Sequence, residues 1–256
     1  MTTRTSTTGP VRRAALDRDA AMRLAATEYD RVLDVLRSMP TDAWTRPSGC
    51  PGWDVRALTA HLLGMAEMAA TLREQLRQLR KAKKAGGVFI DALTGLQVAE
   101  RADLTPRQII DRFADVAPKA ARSRRRTPGF VRARAMPDPQ PVGGKPDSPS
   151  ERWAFGYLID IILTRDPWMH RSELCAAGGL TMVLTPEHDG MLVADIAQEW
   201  ATRHGQPCSL QLTGPAGGTW QWGQGGPSIE LDAVEFCRIL AGRSHADGLL
   251  TTEVPF

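Results

Sequence analysis

Three side chains with metal-binding chemistry stand on two amphipathic stretches: His61 within TAHLLGMAEM, and Asp166 and His170 within LTRDPWMHRSEL. Two imidazoles and a carboxylate can hold a divalent cation and still leave a coordination position open, as a catalytic site requires and a closed structural site does not. The four-residue step from Asp166 to His170 puts both on one face of a helix, a turn apart. His61 lies three residues after Leu58 and four before Met65, at the margin of an apolar stripe, so its ring points into a bundle rather than into water. Glu173 follows on the His170 face as a fourth ligand, an ion-pair partner of Arg171 or Arg165, or an acceptor that orients an imidazole from behind; the last ranks first.

Each residue also has a structural explanation. A lone histidine on an apolar face is ordinarily a hydrogen-bonded core residue, and Asp166 before Pro167 has the pattern of an N-cap and first residue of a restarted helix. Spacing alone leaves both roles open. His188, His204 and His245 lack paired spacing and are read as surface residues.

Several helices must position these groups. Leu16, Ala20, Leu24, Val32, Leu33, Leu36 and Met39 recur at helical spacing and predict a first helix ending at Pro40. The loop DAWTRPSGCPGWD that follows is broken by Pro47, Gly49, Pro51 and Gly52 and pinned by Trp44 and Trp53. Asp54 caps a second helix whose stripe runs through Val55, Leu58, Leu62, Met65, Ala69, Leu72, Leu76 and Leu79. LTPRQIIDRFADV opens a third with Thr105 as cap and Pro106 at the first position. Its Arg122 to Arg134 extension reads as a solvated face. Prolines and glycines from Thr127 to Pro149 predict a long crossover loop, and Ser148 with Glu151 a capping box for a fourth helix through Phe155, Ile159 and Ile162.

After a helix around Leu192 to Trp200 the periodicity changes. CSLQLTG and TWQWG alternate about a GPAGG turn, a β-hairpin; SIEL adds a strand, Asp232 and Glu235 cap a helix, and GLLTTEV could close the sheet. Trp220 and Trp222 share a strand face and either line an apolar pocket or pack against the Asp232 helix.

Composition narrows the function classes. A chain of 256 residues with 42% hydrophobic side chains can build a substantial core. Its 32 basic and 29 acidic residues are interspersed, which gives no basic arm and no expectation of a nucleic-acid partner. No apolar run reaches the ~20 residues of a membrane helix, and Met1 to Pro10 is polar, so the expectations are no membrane partner and a cytoplasmic address. Four dispersed cysteines without a CxxC pair suggest reduced thiols.

The stretch from Ala43 to Gly64, AWTRPSGCPGWDVRALTAHLLG, together with DPWMHRSELCAAGG, resembles the mycothiol-dependent maleylpyruvate isomerase family of the DinB-like superfamily. The ending, from LTGPAGGTWQWG to LDAVEFCRILAGR, resembles the α+β C-terminal domain of many members, itself related in shape to sterol-carrier folds. The resemblance implies a mainly α protein with an α+β tail: a flexible start over 1–12, a DinB-like four-helix bundle with a long crossover loop over 13–185, and a small α+β domain over 186–256. It also implies a divalent metal, zinc, held by His61, Asp166 and His170. One departure is the aspartate at 166, where the isomerase is expected to carry glutamate and many relatives histidine.

The implied co-substrate is mycothiol. A free thiol has a pKa of about 8.5, and a dication stabilises the attacking thiolate. Addition to a cis-conjugated double bond, rotation and expulsion of the thiol would isomerise a small electrophilic substrate; stopping after addition would be S-transfer. Arg243 matches a C-terminal arginine tied to catalysis in the isomerase, and its guanidinium suits a carboxylate or enolate. The alternatives are a metal-dependent hydrolase activating water, assisted by a histidine or Glu173, and a non-catalytic binding protein for a hydrophobic ligand. Monomer and homodimer both remain open.

Overall fold

The computed structural model describes residues 9–143 and 149–256; Ser148, read above as a helix cap, lies outside the described residues. The chain begins with β1 (Val11–Arg12), α1 (Arg18–Ser38), a 3-10 turn (Thr41–Thr45), α2 (Val55–Ala70), α3 (Leu72–Ala85), α4 (Phe89–Ala99), α5 (Pro106–Arg126) and α6 (Gly129–Arg132). Then come β2 (Gln140–Pro141), β3 (Ser150–Trp153), α7 (Phe155–Tyr157), a π-turn (Leu158–Ile162) and α8 (Leu163–Gly178). A second π-turn (Pro186–Gly190), α9 (Met191–His204), β4 (Cys208–Thr213), β5 (Gly218–Trp222), β6 (Ser228–Asp232), α10 (Ala233–Leu240) and a 3-10 turn (Gly248–Thr251) complete it. The protein is mainly helical with a small sheet in its C-terminal region. Among the described residues no helix is long and apolar enough to cross a membrane.

The described residues cluster into two compact units, one of 22–127 with 166–182, the other of 9–21, 128–143, 149–165 and 183–256. The first is a helical bundle. The Asp54 carboxylate accepts from the Ala57 amide at 2.7 Å and starts α2. Leu58, Leu62, Leu63 and Ala66 of α2 are buried with Tyr29, Val32 and Leu36 of α1, Ile109, Phe113 and Ala117 of α5, and Leu174 of α8. Each buried leucine contributes about 1.5–3 kcal/mol. Thr105 and Gln108 close a capping box at the start of α5, with Pro106 at its first position. The buried pair Arg171 and Glu28, 2.8 Å apart, ties α8 to α1. Arg171, one of the two partners considered for Glu173, is thus paired with Glu28.

Two expectations for this unit are corrected. The stripe from Val55 to Leu79 is not one helix: Thr71 is extended, its hydroxyl accepts from the Glu74 amide, and α3 begins anew. Leu72 and Leu76 are exposed, whereas Ala82 of α3 and Leu93 of α4 pack with Met68 of α2. In the arginine run, Arg124 is buried with its guanidinium 5.8 Å from the Tyr29 ring centre, a cation–π contact rather than a solvated charge.

In the second unit β4 and β5 form the expected antiparallel hairpin, with Cys208 opposite Trp222 and Leu212 opposite Gly218. β6 joins the other edge of β4 in parallel, giving the order β5-β4-β6. Asp232 caps α10 by accepting from the Val234 and Glu235 amides. GLLTTEV adds no strand; Gly248–Thr251 is a 3-10 turn in which the Leu249 carbonyl accepts from Trp200 Nε1 at 3.0 Å. Glu151, expected in a helix cap, lies in β3 and pairs with Arg12 and Arg203. Val11–Arg12 run parallel to β3, so the end of the stretch expected to be flexible is held in a sheet. Trp222 stacks on Trp220, meets Trp200 of α9 edge-on and donates to Gln198, so its packing partner is α9 rather than α10.

Candidate metal centre

His61 is presented by α2 and Asp166 and His170 by α8, all within the helical bundle unit. His170 Nε2 stands 3.3 Å from Asp166 Oδ1, and His61 Nε2 3.8 Å from Asp166 Oδ2. One ligand atom from each residue falls within 4.8 Å of the others. The imidazole centres are 5.4 Å apart and the rings nearly perpendicular. Ligands held about 2.1 Å from a tetrahedral cation are about 3.4 Å from one another, and the two carboxylate–imidazole separations bracket that spacing. Asp166 is not a helix cap. It lies inside α8 with Pro167 after it, and because Pro167 has no N–H to offer the Leu163 carbonyl, the helical ladder is already interrupted beside the π-turn.

The backs of both rings are tied. Gln97 Oε1 lies 2.8 Å from His61 Nδ1, and Glu173 Oε2 lies 2.6 Å from His170 Nδ1. Gln97 and Glu173 are buried, as are both imidazoles. An acceptor at each Nδ1 makes that nitrogen the donor and leaves Nε2 facing Asp166, the arrangement in which an outer partner orients a ligating histidine. Asp166 Oδ2 is buried without a hydrogen-bond partner. Leaving such an oxygen unsatisfied is costly, and a cation between the three groups would satisfy it.

The electrostatics agree with that fit. Burial pushes the Asp166 carboxyl up, but His170, with a smaller contribution from His61, outweighs it and holds the group well below the ordinary carboxylate range. Burial opposes charge on His170 as well, yet Asp166 raises the ring well above its usual value. The site therefore favours positive charge beside Asp166, a place for which a metal ion would compete with the proton.

The loop before α2 completes the wall. It closes on itself through Ser48 N–H to the Trp53 carbonyl at 2.9 Å and Val55 N–H to the Arg46 carbonyl at 3.0 Å, and it sets the Trp53 ring 5.4 Å from His61. A Cβ on Gly49 would stand 2.6 Å from Glu173 Cγ, so the loop approaches Glu173 only with glycine there. Half-buried Cys50 donates to Glu173 Oε2 at 3.4 Å and lies 3.8 Å from His170 Nδ1. Cys50, His170 and Glu173 form a second grouping of ligand-type atoms. Within it His170 Nδ1 and Glu173 Oε2 sit 2.6 Å apart, far closer than the about 3.4 Å of two ligands on one cation, so these atoms are spent on each other.

Gln97 was not singled out from the sequence, and Gly49 and Cys50 were read there only as a loop breaker and a reduced thiol. Neutral amides carry no periodic or motif signal, although PSGCPGW itself was part of the family resemblance. Arg243 belongs to the other compact unit, in the turn after α10, where its guanidinium donates to the Ala241 carbonyl. Among the remaining histidines His245 is exposed beside Asp247, as expected. His204 packs on Trp200, and His188 is buried in the second π-turn, against the surface expectation.

No curated protein matches the sequence. Among solved structures, the mycothiol-dependent maleylpyruvate isomerase is similar at 16% identity with a TM-score of 0.54, covering 90% of each chain. A mutant of the mycothiol-dependent maleylpyruvate isomerase is similar at 14% identity with a TM-score of 0.55 and the same coverage. At that identity the likeness is one of fold. The family described as the mycothiol maleylpyruvate isomerase N-terminal domain matches residues 24–175, a segment that contains His61, Gln97, Asp166, His170 and Glu173. With more than half of its length matched, this chain belongs to the mycothiol maleylpyruvate isomerase family.

Proposed function

We propose that this protein is a mycothiol-dependent enzyme in which His61, Asp166 and His170 hold a divalent cation, zinc by its donor set, for cis–trans isomerisation of, or S-transfer to, a small electrophile. The observation that carries the proposal is the convergence of two Nε2 atoms, each backed by an acceptor at Nδ1, on a carboxylate with one unpartnered buried oxygen. When bound, such a cation lowers the pKa of a thiol and so supplies thiolate at neutral pH. The chain's own contribution is positional: Gln97 and Glu173 hold the two rings, Asp166 balances charge, and Trp53 covers one side of His61. Isomerisation and S-transfer differ only in whether the thiol is expelled after bond rotation.

Arg243 is proposed as the guanidinium that meets a substrate carboxylate or enolate, on the strength of its match to the family's C-terminal arginine. The cytoplasm is the proposed compartment, with four free cysteines in keeping with it. A hydrolase that uses Glu173 as general base fits less well, because Glu173 is committed to the Nδ1 edge of His170, away from Nε2. A binding protein built on Trp220 and Trp222 is also disfavoured, since Trp222 is engaged by Trp200 and Gln198.

Cobalt substitution followed by mycothiol titration tests the proposal. A thiolate-to-cobalt charge-transfer band that saturates with mycothiol and is absent from His170→Ala is expected. An unchanged cobalt spectrum at saturating thiol would refute thiol activation and favour water at the open position.

A further inference from the structure

The Nδ1 edge of His61 is met by a chain of hydrogen-bonded side chains from α3 and α4. Gln78 and Gln97 are both fully buried. The Gln78 side-chain nitrogen donates to the Gly64 carbonyl at 3.1 Å and to Glu74 Oε1 at 2.9 Å. Neither oxygen can donate in return: a main-chain carbonyl carries no proton, and the hydrogen-bonded Arg77 guanidinium holds the Glu74 carboxyl below its ordinary range. Turned over, Gln78 would press its oxygen against two acceptors in a buried space. Its Oε1 is therefore fixed toward Gln97, whose side-chain nitrogen donates to it at 2.9 Å. The Gln97 nitrogen also approaches Met65 Sδ at 3.3 Å, a weak acceptor that favours the same orientation. With its nitrogen so placed, Gln97 has its oxygen 2.8 Å from His61 Nδ1. An oxygen there accepts, so Nδ1 carries the ring proton and Nε2 keeps its lone pair on the Asp166 side.

We infer that Gln78 and Gln97 act as a two-amide relay that positions His61 for metal binding by fixing its tautomer, with the Gly64 carbonyl and the Glu74 carboxylate setting the direction of the relay. Both glutamines are positioning residues. The inference rests on the proposed metal reading for its effect on affinity; the tautomer itself does not depend on that reading.

Nitrogen-15 NMR of the histidine rings in metal-free full-length protein, at a pH where they are neutral, reads the tautomer directly, and zinc titration reads its consequence. Wild-type His61 is expected to be protonated at Nδ1. Gln78→Leu, which alters no contact of the ring, should move His61 toward the Nε2–H form and weaken zinc binding about 10-fold, and Gln97→Leu should weaken it about 10–100-fold. Gln97→Glu retains an acceptor at Nδ1 and should recover most of the affinity lost in Gln97→Leu. The wild-type tautomer needs no substitution, so the test survives a variant that fails to fold. A wild-type ring protonated at Nε2, or a folded Gln78→Leu with wild-type tautomer and zinc affinity, would overturn the relay. If zinc binding proved independent of His61 while the tautomer still followed Gln78, the metal reading would fall and the relay would stand.

Discussion

Replacing Gly64 with alanine sets two effects against each other, and the structure decides which prevails. In an ordinary helix interior Gly→Ala stabilises by about 1 kcal/mol. At Gly64 the new Cβ would lie 2.7 Å from Cβ and Cγ of Gln97 and 3.0 Å from Nη1 of Arg101. Carbon atoms rest about 3.5–4.0 Å apart, so α4 must recede by about 1 Å, and the first atoms met are too close to its backbone to swing aside. That displacement would stretch the 2.8 Å contact between Gln97 Oε1 and His61 Nδ1 beyond hydrogen-bond range. Overpacking costs about 1–3 kcal/mol and an unpartnered buried N–H about 1–3 kcal/mol. After the helical gain, a net loss of about 1–5 kcal/mol is expected. Zinc affinity should fall about 10–100-fold as His61 loses its orienting partner. Urea unfolding and competitive zinc titration measure the two quantities, and Gln97→Gly in the same chain, which removes both Cβ and Cγ, should relieve the overlap and recover part of the stability but not the affinity. A more stable Gly64→Ala protein with unaltered zinc binding would refute the close-packing account.

Two further outcomes follow from the bundle's charged groups. Arg171→Leu removes the guanidinium paired with the buried Glu28 carboxylate and should cost about 3–5 kcal/mol in denaturant unfolding, whereas Arg171→Leu with Glu28→Leu should recover most of the loss; equal costs for the single and double variants would deny the pairing. Hydrogen bonds from Arg77, and then Lys81, hold Glu100 down at about 2 from an unfolded value of 4.5. A depressed carboxyl stabilises fully above its unfolded pKa and loses that contribution as pH falls through the folded one. The stability gap between wild type and Glu100→Gln should therefore be constant above pH 4.5 and close as pH falls toward about 2. A gap that does not change across that window would remove Glu100 as a contributor to acid stability.

Elements with strong local signals were legible in the sequence. Helix α5 announced itself by Thr105, Pro106 and an apolar face through Ile109 and Phe113, all of which the structure uses as expected. His61, Asp166 and His170 could be named because helical spacing fixes the face on which each side chain emerges, and the structure brings them together. The break at Thr71 was hidden because Leu72 and Leu76 prolong an apolar stripe that solvent, not core, receives. Propensity also misplaced Glu151, since its pairing with Arg12 and Arg203 depends on residues distant in sequence. Gln78 and Gln97 were unreadable for a related reason: their value lies in contacts across three helices, which no window of sequence contains.

Metal content of the purified protein, measured on wild type and on folded His61→Ala and His170→Ala variants, bears most directly on the central claim. The expected result is about one zinc per chain in wild type and loss of that ion in both variants. Equal metal content in all three proteins, or none in wild type after zinc reconstitution, would contradict the site.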